Sequence, residues 1–167
     1  VQRMVNSCIS GVTFTVHPVT KDKNQMIIEA VWGLGEAIVG GMVTPDDYII
    51  EKSKITLVPS SSRVKNEKLK IIDVVVNEQE KMIVSKKEGG TEEVEVSRSI
   101  RQAQDRPESI EGRHARSKQK LTGEQILEIA QICQNIEDHY GFPCDIEWAF
   151  ESPQAKAQEG KFYIVQS

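Results

Sequence analysis

The chain has 167 residues, of which 38% are hydrophobic and 28% are charged, and its formal net charge is −4. This length and this apolar content are sufficient for one domain with a sizeable core. The charge is not clustered into the basic surface that nucleic-acid binding needs, and no apolar run is long enough to cross a membrane. We therefore expect neither a nucleic-acid partner nor a membrane partner.

Three cysteines, Cys8, Cys133 and Cys144, are widely separated in the sequence. An odd number without close pairs is typical of reduced thiols and not of a disulfide framework or a zinc site. Because the N-terminus also lacks the pattern of a signal peptide, the sequence predicts a cytoplasmic protein. The chain starts at Val1 and stops directly after an apolar strand pattern, from which we expect a piece of a longer protein.

Residues 1–18 alternate apolar and small polar side chains, which predicts two strands joined near residues 6–10. Gly11 lies within this pattern. A glycine inside a strand indicates the close approach of a ligand or of another backbone, or else a simple bulge. His17 stands before a proline and is expected in a turn.

A buried-looking strand over residues 26–32 leads into a glycine-rich turn, Gly33 to Gly35. The backbone N–H groups of such a turn can bind phosphate. Its spacing, however, is neither that of the P-loop nor that of the dinucleotide-binding fingerprint. Residues 44–47 then read as a turn or a helix cap before a strand at 48–50.

Residues 52–97 have the pattern of a β meander with a hairpin turn at Gly89-Gly90. The candidate strands are residues 55–58, 69–76, 81–86 and 92–96. Residues 98–120 are highly charged and have few apolar side chains. They predict an exposed linker or mobile loop.

An amphipathic helix is predicted over about residues 122–140. Thr122 and Gln125 have the spacing of a capping box, and Gly141 follows at the position where a left-handed cap is usual. Apolar residues recur at helical spacing and form one stripe that we expect to face the core. The stripe consists of Ile126, Ile129, Ala130, Cys133 and Ile136.

The last two apolar runs, residues 145–150 and 161–167, alternate like strands. Asp145 and Glu147 share one face, and a hairpin between the runs would bring Gln166 beside Glu147. Two carboxylates and an amide oxygen can bind Mg²⁺, which favours oxygen ligands and shares them with substrate phosphates. The alternative interpretation is an acidic surface edge, because half-buried strands place polar residues outside.

Five sequence blocks occur in the order in which a known family carries them. They are Ser10–Thr15, Ile28–Ala37, Val43–Asp46, Ile136–Pro143 leading into Asp145–Trp148, and Tyr163–Ser167. Together they resemble the nucleotide-binding domain of phosphoenolpyruvate synthase and its relatives, pyruvate phosphate dikinase and rifampicin phosphotransferase. The resemblance covers nearly the whole chain, and the ordered set favours the metal site over the acidic edge.

The resemblance implies an α+β fold, namely the C-terminal subdomain of an ATP-grasp domain. This is a mostly antiparallel sheet with one long helix packed on it. Residues 1–167 would form the C-terminal half of the ATP-binding domain. The N-terminal half, the swivelling phosphohistidine domain and the acceptor domain would lie outside this chain, and the first two are its expected partners together with ATP.

The resemblance also implies the site residues. Glu147 and Gln166 would bind ATP and its Mg²⁺, with Asp145 nearby, and Gly11 and Thr15 would contact the nucleotide. The family's phosphate-binding arginine follows the last serine and is absent from this chain. None of the three histidines, His17, His114 and His139, lies in the family's phosphohistidine motif, so no catalytic residue is expected here.

The implied function is that of a dikinase-type phosphotransferase. Such an enzyme converts ATP, pyruvate and water to AMP, phosphoenolpyruvate and phosphate through a phosphohistidine on a separate domain. The chain by itself, with half of the nucleotide cleft, is expected to be inactive. Two alternatives remain open: the ATP-binding part of a rifampicin phosphotransferase, and a non-catalytic nucleotide-binding module.

Overall fold

The computed structural model describes residues 4–52, 69–86, 88–96, 118–151 and 160–167. The fold is α+β with a mostly antiparallel sheet and one long helix, as predicted. The strands are β1 (Ile9–Phe14), β2 (Gln25–Trp32), β3 (Asp46–Glu51), β4 (Lys70–Val75), β5 (Lys81–Ser85), β6 (Thr91–Glu95), β7 (Asp145–Glu151) and β8 (Lys161–Gln166). The helices are α1 (Glu36–Val39) and α2 (Gly123–Tyr140).

Six strands form one antiparallel sheet in the order β4-β3-β2-β1-β7-β8, and β5 and β6 form a separate two-stranded sheet. The first strand of the chain thus pairs with β2 on one side and with β7 on the other. This arrangement joins the N-terminal part of the chain to the C-terminal hairpin.

The main core lies between the six-stranded sheet and α2. Alternate residues of the strands point toward the helix, because successive side chains of a strand point to opposite faces. The fully or nearly fully buried members include Met26, Ile28, Ala30, Ile146, Trp148, Ile126, Ile129, Ala130 and Cys133. The apolar stripe predicted for the helix is therefore its core face.

Both predicted ends of the long helix are confirmed. The hydroxyl of Thr122 accepts a hydrogen bond from the Gln125 N–H, and the Gln125 side chain accepts one from the Thr122 N–H. Gly141 caps the C-terminus with φ of 76°. Local sequence is sufficient to define this helix, since capping contacts join neighbours in the chain.

The prediction of two strands within residues 1–18 was wrong for the described part of that range. β1 is a single strand, and residues 4–8 lie outside any strand. Met4 is 87% exposed. Alternation over so short a run does not make a strand unless one face is buried.

The predicted meander divides into two sheets. β4 pairs with β3 in the large sheet, whereas β5 and β6 form a hairpin of their own. Gly89 and Gly90 make its turn, with φ of 95° and 79°. The predicted strand at 55–58 lies outside the described residues.

Two local predictions fail at a buried ion pair. Asp46, predicted in a turn or a helix cap, is the first residue of β3, and Lys120, predicted at the end of an exposed linker, is buried. The Lys120 ammonium lies 2.5 Å from the Asp46 carboxylate, and both side chains are fully buried. Each charge compensates the other, which a local reading of the sequence does not reveal. Most of the predicted linker, residues 98–117, lies outside the described residues.

Across the described ranges, no helix combines the length and the apolar character that crossing a membrane requires.

Candidate functional site

The face of the large sheet opposite α2 carries a row of five paired residues, four of which are polar. Asp47 pairs with Glu29, Glu29 with Val12, Val12 with Glu147, and Glu147 with Gln166. Directly paired residues of antiparallel strands lie on the same face. Five neighbouring strands thus present three carboxylates and one amide along one line.

Glu29 and Asp47 were not among the predicted site residues. The alternation of β2, with Met26, Ile28 and Ala30 buried, contained the signal that Glu29 points to the other face. Burial raises the pKa of the Glu29 carboxyl, and the charge of Asp47 raises it further. Burial also raises the pKa of Asp47, as does Asp46, while Lys120 lowers it. Like charges directly opposite each other on a sheet repel, so this pair favours a proton or a cation.

A cleft of about 820 Å³ opens on the same face. Its walls are the N-terminal segment, the turn before α1, and strands β1, β7 and β8, with apolar contributions from Val12, Leu34, Val39 and Ala149. The charged residues among its described lining are Glu36 and Glu147, and both are acidic. Both charges oppose the entry of a polyanion into this part of the cleft, and a cation that accompanies the polyanion reduces this repulsion.

Glu147 and Gln166 lie opposite each other on β7 and β8, as a hairpin between the two runs predicts. The register shifts between Glu147 and Trp148, which marks a β-bulge next to the carboxylate. Bulges re-aim side chains and are common beside functional sites. Asp145 is exposed at the start of β7 and is paired with Phe14 of β1.

Gly11 and Thr15 lie on the other face of the sheet, toward α2. A side chain at Gly11 would run into the Glu29 carbonyl oxygen and the indole ring of Trp148. Thr15 is fully buried, and its hydroxyl accepts a hydrogen bond from the Cys144 N–H at 2.8 Å. Contact of these two residues with a nucleotide stays a prediction, whereas their contacts in this fold hold β1 against β7.

The donors on the open face fit Mg²⁺ in type. Glu147 offers carboxylate oxygens and Gln166 an amide oxygen, and Mg²⁺ is typically held by one or two carboxylates, with waters and substrate phosphates completing its shell. Among the described residues no group of three or more His, Cys, Asp or Glu side chains could hold a metal ion by itself. The arrangement is therefore suited to a cation that arrives with its phosphate ligand.

Neither of the two histidines that the structure describes lines this cleft. His17 is in a turn, where its Nδ1 accepts hydrogen bonds from the Val19 and Thr20 N–H groups at 3.3 Å. His139 lies in the last turn of α2, and His114 lies outside the described residues.

Comparison with known proteins gives a family for the entire chain. Residues 1–167 match the family model of the pyruvate phosphate dikinase AMP/ATP-binding domain. The phosphoenolpyruvate synthase of Pyrococcus furiosus is 44% identical over 100% of this chain and 17% of that protein. A probable phosphoenolpyruvate synthase of Methanocaldococcus jannaschii is 36% identical over 100% of this chain and 11% of its own length.

A relative with a different name is also similar. The rifampicin phosphotransferase of Bacillus subtilis is 34% identical over 100% of this chain and 15% of that protein. The chain thus spans less than a fifth of the length of each of these three relatives.

Proposed function

Because the chain belongs to the pyruvate phosphate dikinase AMP/ATP-binding domain family, we propose that it forms the ATP-binding part of a phosphotransferase of the phosphoenolpyruvate synthase type. The whole enzyme would convert ATP, pyruvate and water to AMP, phosphoenolpyruvate and phosphate. Identity of 44% to a phosphoenolpyruvate synthase, against 34% to a rifampicin phosphotransferase, supports pyruvate as the acceptor. As part of such a metabolic enzyme, the chain would act in the cytoplasm.

The observation that carries this proposal is the pairing of Glu147, which lines the open cleft, with Gln166 on the neighbouring strand β8. We assign these two residues to the cation that accompanies ATP, with Asp145 as a nearby polar group at the strand end. Mg²⁺ bound there would neutralise phosphate charge and orient the polyphosphate for transfer. Glu147 and Gln166 would bind it from rigid strands, which keeps their oxygens in place as the charge on the phosphates moves.

The charge of the cleft gives this assignment its physical basis. Glu36 and Glu147 would repel a free nucleotide triphosphate, since both charges have the same sign as the phosphates. A cation bound between Glu147 and the phosphates attracts both groups and so turns the repulsion into a net attraction. Further positive charge would come from the N-terminal half of the ATP-grasp domain, and the phosphate acceptor would be a histidine on a swivelling domain.

Gly11 and Thr15 would support the site from the opposite face. Gly11 leaves the space that Trp148 fills, and Thr15 binds the backbone of Cys144 directly before β7. Both contacts position the strand that carries Asp145 and Glu147. In this proposal the two residues affect ATP binding through β7.

Titration of the full-length protein with ATP tests the proposal. Calorimetry should show binding with Mg²⁺ present and little or none when Mg²⁺ is replaced by a chelator. Equal affinity in both conditions would contradict the assignment of the cation to this cleft. The reaction is tested by ³¹P NMR with ATP and pyruvate, where AMP, phosphate and phosphoenolpyruvate are the expected products.

A second candidate function is that of a rifampicin phosphotransferase, which is supported by the 34% identity over the whole chain. Incubation with ATP and rifampicin in place of pyruvate distinguishes the two, because only the correct acceptor yields stoichiometric AMP. If the full-length protein binds Mg²⁺-ATP but produces no AMP with either acceptor, the chain belongs to a non-catalytic nucleotide-binding module.

A further inference from the structure

The turn of residues 33–35 forms one wall of the cleft and leads into Glu36 at the start of α1. Gly33 has φ of 89°, a conformation that side chains other than glycine rarely adopt. A side chain at this position would also run into the carbonyl oxygen of Ile83 on β5. The turn is thus in close contact with the small two-stranded sheet, whose role the proposed ATP site leaves unexplained.

Two buried serines hold the turn from the side of β1. The Ser10 hydroxyl donates to the Gly33 carbonyl oxygen at 2.5 Å, and the Ser7 hydroxyl lies 3.3 Å from the same oxygen. Both serines line the cleft. These hydrogen bonds link the turn to β1 and to the segment before it, and they stabilise the shape of the cleft.

Gln79 holds the turn from the side of the hairpin. Its side chain is 1% exposed and lies in the connection between β4 and β5. Its amide oxygen accepts from the Trp32 N–H at 2.9 Å, and its amide nitrogen donates to the carbonyl oxygens of Trp32 at 3.0 Å and Lys81 at 2.9 Å. At the end of β2, the hydrogen bonds between the Gln79 amide and Trp32 take the place of those that a neighbouring strand would make with the backbone. The Leu34 N–H donates to the Ile83 carbonyl oxygen at 2.8 Å and adds a direct link to β5.

We propose that Gln79 and Ser10 are positioning residues for nucleotide binding. They hold the turn so that Gly35 and Glu36 face the β7 wall across a cleft of constant width. Gln79 is not among the cleft-lining residues, so its effect passes through Trp32 and the turn. This inference rests on the proposed function, since it assumes that ATP binds in the cleft.

The physical reason is the entropy of the turn. A turn that is ordered before ATP arrives loses no further conformational freedom on binding, whereas a loosened turn has to be ordered at that moment. Ordering one or two backbone residues on binding corresponds to about tenfold in affinity. Chemistry at saturating ATP is affected less, because the bound state restores the turn.

The test compares three variants of the full-length protein, Gln79→Leu, Ser10→Ala and Glu93→Gln. Glu93 lies on the same hairpin, in an exposed ion pair with Lys81, and serves as the control. Mg²⁺-ATP affinity is measured by calorimetry, KM and kcat by AMP release, and amide hydrogen exchange by mass spectrometry over residues 33–40. Gln79→Leu and Ser10→Ala should bind Mg²⁺-ATP about tenfold more weakly, raise KM for ATP more than they lower kcat, and speed exchange in the turn. Glu93→Gln should do none of these.

The other possible results of this experiment refute either the inference or the proposed function. Unchanged Mg²⁺-ATP affinity in both Gln79→Leu and Ser10→Ala overturns the inference, and so does unchanged hydrogen exchange in the turn. If Gln79→Leu fails to fold, the result for Ser10→Ala decides whether the inference holds. That variant should still fold, because the Ser7 hydroxyl keeps its hydrogen bond to Gly33. A wild-type protein that binds no Mg²⁺-ATP refutes the proposed function itself, whereas a wild type that binds as tightly as its variants refutes only the inference.

Discussion

Trp148 on β7 donates its indole N–H to the hydroxyl oxygen of Thr13 on β1 at 3.0 Å. The indole ring also lies over Gly11 and meets the ring of Phe162 edge-on, with centroids 5.5 Å apart. Glu147 precedes Trp148 and points to the opposite face of the sheet. Packing in the core therefore determines where the proposed cation ligand stands.

Gly11→Ala should destabilise the fold, since its new methyl group would overlap the Trp148 indole and the Glu29 carbonyl oxygen. Overpacking of this kind costs about 1–3 kcal/mol, which urea denaturation measures directly. Gly123→Ala is the control, because the nearest atom to its new methyl group is Ile71 Cδ1 at 4.0 Å. Equal stability of the two variants would contradict the close packing of Trp148 on Gly11.

Glu147→Gln in the full-length protein should lower activity at least about tenfold and raise the Mg²⁺ concentration needed for half-maximal activity. The fold should stay intact, since Glu147 is not part of the apolar face of β7. Glu151→Gln provides a control on the same strand and the same face, outside the residues that line the cleft. Activity of Glu147→Gln close to that of wild type would remove Glu147 from the proposed ligands.

Lys120→Ala should destabilise the protein by about 3–5 kcal/mol, because it leaves the buried carboxylate of Asp46 without its ion-pair partner. The double variant Asp46→Asn with Lys120→Met should recover part of that loss, because it removes both charges and keeps a side-chain oxygen that accepts from the Tyr48 hydroxyl and the Lys120 N–H. Thermal denaturation of the three proteins gives the comparison. The exposed pair of Lys81 and Glu93 is the control, and Lys81→Ala should leave the melting temperature unchanged. A small effect of Lys120→Ala would mean that water reaches Asp46.

Glu29→Gln should stabilise the protein at neutral pH by about 0.5 kcal/mol, because it removes a carboxylate that faces Asp47. The pKa of Glu29 is raised above its usual 4.5 by burial and by Asp47, so the folded state binds this proton more tightly than the unfolded chain. The contribution of Glu29 to wild-type stability should accordingly fall as pH rises from about 4.5 through the folded-state pKa. The advantage of Glu29→Gln should therefore disappear in acid, where the wild-type side chain is protonated. Urea denaturation between pH 4 and pH 7 tests this, with the exposed Glu128→Gln as the control.

Cys133 should resist thiol reagents in the folded protein. Burial raises the pKa of its thiol to about 12, so very little thiolate is present at neutral pH. Mass spectrometry after labelling with iodoacetamide should find Cys133 unmodified in buffer and modified in urea. Rapid labelling in buffer would show that α2 separates from the sheet under native conditions.

The sequence was sufficient for the parts of the fold that depend on neighbours in the chain. The ends of α2 followed from Thr122, Gln125 and Gly141, and the two faces of β7 followed from simple alternation. The pairing of Glu147 with Gln166 was predictable as well, because a hairpin brings consecutive strands together. Membership of the family followed from the order of five short blocks.

Tertiary structure decided what depends on residues far apart in the sequence. Asp46 and Lys120 are 74 positions apart in the sequence, and each by itself would be interpreted as an exposed charge. Glu29 and Asp47 join the row of Glu147 only because β1 lies between β2 and β7. The proposed role of Gln79 likewise depends on its hydrogen bond with the Trp32 N–H at the end of β2. Local propensity and alternation report the shape of a segment, whereas the partner of a buried polar group depends on how segments pack.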